Sequence, residues 1–187
     1  MDAVRVDATR ESDIAALFER VGEFDHLVYT ANGAPRPQPI AGVDIDQARR
    51  GLDVYLWGVV ASVKHAVTRI RAGGTIALTS GMMAVRPTPG GALGAAGAAA
   101  IEGLVRGLAV ELAPVRVNAV RPGTVRTPMY DAIPEAQREA MFAQLAEGTL
   151  TGRVSEPEQI AAAHLYLMGN PYVTGTVLAV DGGSVLK

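Results

Sequence analysis

A chain of 187 residues is long enough to bury a sizeable core and suits one domain. Its residues are 49% hydrophobic but only 5% aromatic, so Ala, Val and Leu carry the apolar content, as expected where helices pack closely on a sheet. The formal net charge is −2 with no basic stripe, which argues against nucleic acid. The absence of cysteine excludes disulfides, thiol catalysis and thiolate metal sites, and makes the cytoplasm the expected compartment. No basic stretch or apolar run follows Met1-Asp2, so no signal peptide is expected. No apolar run approaches the ~18 residues of a membrane span.

Val4-Arg5-Val6 is a short β-prone stretch that ends at Asp7. A helix follows, capped by Thr9 or Ser12, with Ile14, Leu17, Phe18 and Val21 at helical spacing. His26 to Thr30 reads as a buried strand closed by the turn signal Ala31-Asn32-Gly33 and a proline-rich loop. Asp44 or Asp46 opens a long helix reaching about Ile70, and Gly73-Gly74 break the chain before a strand from Thr75 to Thr79. Ser80-Gly81 begins a loop, and a small-residue helix runs from about Leu93 to Ala113. Val115 to Val120 is the next strand, closed by Pro122-Gly123. The segment from Thr127 to Thr151 holds one helix after Pro134 and would form a lid over a substrate. Glu156-Pro157 starts a helix to about Met168, and Thr176 to Val180 is the last strand, stopped by Asp181-Gly182-Gly183. Strands alternating with helices predict an α/β fold with a parallel sheet covered on both faces.

The run Ile101-Glu102-Gly103-Leu104, then Leu108 to Ala113, then Val115 to Gly123 resembles the central stretch of the short-chain dehydrogenase/reductase family. Thr127-Pro128-Met129, Gly152-Arg153, Glu156 to Ala161 and Thr174 to Gly183 continue the resemblance over nearly the whole chain. It implies one partial domain over residues 1–187, a Rossmann-like, doubly wound parallel sheet in three αβα layers. The family strand order is 3-2-1-4-5-6-7, and Val4 to Val6 corresponds to the third strand, so the first two strands are missing. The glycine turn that receives a pyrophosphate is missing with them. Val4 to Val6 then has no neighbour in its usual place. The natural chain is therefore expected to begin upstream of Met1, and these residues alone to have a rearranged or loosely held N-terminus; the alternatives are that the segment slides across to pair beside His26 to Thr30 or that another chain supplies the edge.

The resemblance implies an NAD- or NADP-dependent oxidoreductase acting on a carbonyl or alcohol. Family members use a Tyr acid, a Lys four residues on, a Ser about thirteen residues before the Tyr, and an Asn. Ser80 fits the Ser. Leu93 and Gly97 fall where Tyr and Lys are expected, and Tyr55 where the Asn is expected. This resembles a divergent branch with small or apolar residues at those positions. The resemblance further assigns Asp7, Ala31, Gly33, Pro122, Gly123, Val125 and Thr127 to the cofactor. Tyr55 is a substitute acid or a packed side chain. His26, His65 and His164 share no metal-ligand spacing and read as packing or surface residues. Arg86, Arg121 and Arg126 border the cleft and read as solvated cations. Gly94, Gly97, Gly103 and Gly107 give one helix a smooth face for close approach, and the resemblance makes that helix part of a homo-oligomer interface, dimer or tetramer. Two functions compete: an oxidoreductase of divergent type, and a non-catalytic relative that binds a small ligand or pairs with an active partner.

Overall fold

The computed structural model describes residues 2–31 and 37–187. Four strands, β1 (Phe24–Tyr29), β2 (Ile70–Thr79), β3 (Arg116–Pro122) and β4 (Val177–Val180), pair in parallel in the order β1-β2-β3-β4. α1 (Glu11–Val21) precedes β1, α2 (Ile45–Leu52) and α3 (Gly58–Ala66) lie between β1 and β2, α4 (Ala92–Glu111) lies between β2 and β3, and α5 (Glu135–Glu147) and α6 (Pro157–Gly169) lie before β4.

Strand alternation sends successive side chains to opposite faces. Ile76, Leu78, Val117 and Ala119 join Val59 and Val63 of α3 and Ala98, Ile101 and Val105 of α4 in the main core. On the other face Val120 meets Ala163 and Leu167 of α6. The helices thus form layers on both sides of the sheet, as the α/β reading expects. By length and composition α4 is apolar enough to cross a membrane, but it carries Glu102 and Arg106 and buries Ile101 and Val105 fully against the sheet.

Polar ties fix the β3 side. Arg116 donates to the carbonyls of Leu167, Met168 and Val173 and to Thr75 Oγ1, neutralising the C-terminal end of α6. Asn118, fully buried, donates to Val173 O and accepts from Thr176 N. The α6 N-terminus carries a capping box between Glu156 and Gln159, with Pro157 in its first turn.

Several expectations need correction. Val4 to Val6 forms no strand; Val6 packs partly against Ile14, Phe18 and Ala66. The physical reason is the absence of a neighbouring strand, among the described residues, to take its backbone groups. Neither Thr9 nor Ser12 caps α1; Thr9 donates instead to Asp7 Oδ1 from both its amide and its hydroxyl. β1 is an edge strand, half exposed, with only Tyr29 buried. The long helix is two helices joined by a π-helical turn, Asp53–Trp57, and it ends at Ala66. Gly73-Gly74 lie inside β2, where Gly73 takes φ 81° and the pairing register with β1 shifts, so they bend the strand and do not end it.

The π turn has a visible cause. Tyr29 donates to the Val54 carbonyl at 2.6 Å, and a Cβ on Gly58 would lie 2.4 Å from that same hydroxyl. β1 therefore presses against the turn, and only glycine fits there.

Candidate active site

A cleft of about 960 Å³ opens at the carboxyl ends of β2 and β3, between the start of α4 and α6. Ligands of open parallel sheets bind at this edge, because strand ends and loops there converge without side chains filling the space. The cleft continues over the uncovered face of β1, where Val28 and Thr30 line it.

Ser80 stands on its wall, only 4% exposed. Its amide donates to Val120 O at 2.9 Å, which holds it at the sheet edge. Its hydroxyl lies 3.0 Å from Glu102 Oε1 and 3.2 Å from the Ala98 carbonyl. Glu102 in turn pairs with Arg121 at 3.2 Å, and both side chains are largely buried. Arg121 is thus no solvated cation, as the sequence had suggested; it balances a carboxylate beneath the cleft. Arg126 is likewise engaged, with Glu139 and Glu156 and over the Phe142 ring. Arg86 lines the cleft and donates to the Ser184 carbonyl.

The helix positions facing Ser80 are Gly94 and Ala98, which line the cleft four residues apart. Leu93 does not line it, and Gly97 packs on the Tyr55 ring, where a Cβ would sit 3.1 Å away. The register expected by counting from Ser80 is therefore one residue early. Loop 85–91 and its positive-φ Gly90 set where α4 begins, and counting from a strand end does not capture that. Neither Gly94 nor Ala98 can carry a proton.

Tyr55 enters the cleft from the π turn, and its core packing leaves the hydroxyl near Gly81. Burial, reinforced by the Glu102 carboxylate, pushes its pKa up to about 12, so it holds its proton at neutral pH. His164 of α6 also lines the cleft, with Nε2 3.4 Å from Thr79 Oγ1 and Nδ1 buried without a partner. Burial holds its pKa below the ordinary histidine value, which favours the neutral ring.

Of the residues assigned to a cofactor, Pro122, Gly123, Val125 and Thr127 come together on one wall. Their loop is fixed by the Gly123 amide on Val180 O and by a bridge between Val125 and Ser155. A Cβ on Gly123 would lie 2.9 Å from Asp181 Cα, so glycine is required by the passing β4 end whatever binds in front. Asp7 and Ala31 do not line the cleft; Asp7 closes a turn with Thr9, whose hydrogen bonds hold its carboxyl below the usual range. Gly33 lies outside the described residues. Sequence reasoning missed Glu102 and underrated His164. Glu102 was detectable, because residues 94, 98 and 102 fall at four-residue spacing on one face of α4.

The residues present fit one end of a dinucleotide. The wall from Pro122 to Thr127 suits a flat ring such as nicotinamide. Among the described residues, however, no strand runs into a glycine turn that opens an α-helix, the device that receives a pyrophosphate.

Fold and cleft together define a Rossmann-like protein with its site at the carboxyl edge of a parallel sheet. The family model described as enoyl-(acyl carrier protein) reductase matches residues 1–185. Short-chain dehydrogenase/reductase malC of Malbranchea aurantiaca is 37% identical over 165 residues, covering 87% of this chain and 62% of the relative. The cis-4-hydroxycyclohexanecarboxylate dehydrogenase of Sinomonas cyclohexanicum is 34% identical, covering 96% of this chain and 75% of the relative. Among solved structures, a small-chain dehydrogenase in complex with NADPH is 38% identical, with a TM-score of 0.93 over 97% of this chain and 83% of that one. The chain belongs to the short-chain dehydrogenase/reductase family of oxidoreductases, and it spans less than two thirds of malC's length.

Proposed function

We propose that the cleft is the substrate and nicotinamide end of an NAD(P)-dependent oxidoreductase site for small carbonyl or alcohol compounds. One observation carries this reading: Ser80, Tyr55 and the Pro122–Thr127 wall line a single cleft at the carboxyl edge of the sheet. A bound nicotinamide would supply or accept hydride, and Pro122, Gly123, Val125 and Thr127 would form the wall against it. Ser80 orients the substrate oxygen. Tyr55 keeps its proton to high pH and so serves as a hydrogen-bond donor, and is a poor base. The cofactor's phosphates find no cradle among the described residues, so tight cofactor binding requires a glycine turn from outside them.

The cytoplasm and a homo-oligomer are part of the proposal. Around Gly103 and Gly107 of α4 an added Cβ would meet nothing within 4 Å, and Val110 is 84% exposed, so this stretch of helix is open to a second copy. The second reading, a ligand-binding relative without turnover, is favoured by Gly94 and Ala98, which leave Ser80 without the usual ionisable neighbours. Ketone-dependent oxidation of NADH and NADPH at millimolar cofactor, where a site without a phosphate cradle can still fill, tests the two. The oxidoreductase reading expects turnover that Ser80→Ala abolishes and Tyr55→Phe lowers roughly 10²-fold or more. Turnover unchanged by Ser80→Ala removes Ser80 from the mechanism, and no turnover with any ketone favours the binding role.

A further inference from the structure

A serine hydroxyl has one proton and two lone pairs, so its partners decide what it offers a ligand. Both protein neighbours of Ser80 Oγ are acceptors: Glu102 Oε1 at 3.0 Å and the Ala98 carbonyl at 3.2 Å. Arg121 lies 3.2 Å and 3.4 Å from the two oxygens of Glu102 and keeps the carboxylate in place. Hydrogen bonds to a charged acceptor are the stronger kind, so the proton turns inward to Glu102. The side of Ser80 that meets the cleft is then its lone pairs. Of the groups that face Glu102, Arg121 directs its N–H donors at the carboxylate, and the Tyr55 phenol stays neutral.

We propose that Glu102 is a positioning residue that turns the Ser80 proton away from the cleft, so that the site prefers a substrate hydroxyl, which donates, over a carbonyl, which only accepts. The inference rests on the reading of Ser80 as the residue that meets the substrate oxygen. Tyr55 does not decide the preference, because a neutral phenol both donates and accepts. In Glu102→Gln, Arg121 takes the amide oxygen and the amide nitrogen turns to Ser80. Ser80 then accepts from residue 102, and its proton is left to the Ala98 carbonyl or to an acceptor in the cleft.

The test is a nuclear magnetic resonance titration of the full chain, without cofactor, with cyclohexanol and with cyclohexanone. The wild-type chain is expected to bind cyclohexanol more tightly. The alcohol-to-ketone affinity ratio is expected to fall roughly two- to tenfold in Glu102→Gln, the scale of one exchanged hydrogen bond. Ser80→Ala should erase the preference and Ser80→Thr, which keeps the hydroxyl, should retain it. These two variants decide the matter if Glu102→Gln does not fold. A ratio equal in wild type and Glu102→Gln, or a wild-type preference for the ketone, overturns the inference and leaves the site reading standing. If neither compound shifts resonances of the cleft residues, the site reading itself fails, and the inference with it.

Discussion

The two edges of the sheet differ in how their strands are held. At β3 and β4, Arg116 and Asn118 take up the end of α6 and the loop that follows, and the ribbon from Pro122 to Thr127 is tied to Val180 and Ser155. At β1, one face carries α1 and α3 while the other lies open, and Val4 to Val6 runs past without strand pairing. The difference shows where rigidity is concentrated: the wall of the cleft is built on the buried, hydrogen-bonded side, and its other half is an uncovered strand face. Loops held by a rigid scaffold are the usual place for a site.

The largest expected effect lies on the tied side. Arg116→Met leaves the carbonyls of Leu167, Met168 and Val173 without their donor, and about 3–5 kcal/mol of stability should be lost in urea unfolding. A loss under about 1 kcal/mol would show that α6 is held by its apolar face alone. Next is Gly123→Ala, whose Cβ would lie 2.9 Å from the backbone of Asp181; a loss of about 1–3 kcal/mol is expected from the same measurement.

His164 gives a pH signature. Its folded pKa lies below the ordinary value of 6.5, so the unfolded chain takes up a proton first as pH falls. Its contribution is full above that ordinary value and is lost as pH drops toward the folded pKa. Unfolding of His164→Leu followed across this window should show a shallower fall than the wild type, by up to one proton's worth of slope. Smallest is Val6→Ala on the loose edge, expected to cost about 0.5 kcal/mol, since Val6 packs only partly against Ile14, Phe18 and Ala66. A loss near that of Arg116→Met would erase the contrast between the edges.

Much of this was legible in the chain because local signals agreed. Asp44 caps α2 through Gln47 N, Glu156-Pro157 opens α6, and the alternation around Val117 to Val120 matches the two faces of β3. What escaped depends on neighbours distant in sequence. Val4 to Val6 has strand composition, but pairing needs a partner. His26 to Tyr29 has the composition of a buried strand, yet burial is set by what covers it. The π turn at Tyr55 arises from Tyr29, and the coupling of Ser80 to Glu102 and Arg121 spans β2, α4 and β3.

In the proposed function Pro122, Gly123, Val125 and Thr127 form the nicotinamide wall, and among the described residues the phosphates of a dinucleotide find no cradle. Titration of the 187-residue chain with NADPH, followed by nicotinamide fluorescence, tests this most directly. No saturation through the micromolar range is expected; saturable micromolar binding by these residues alone would contradict it.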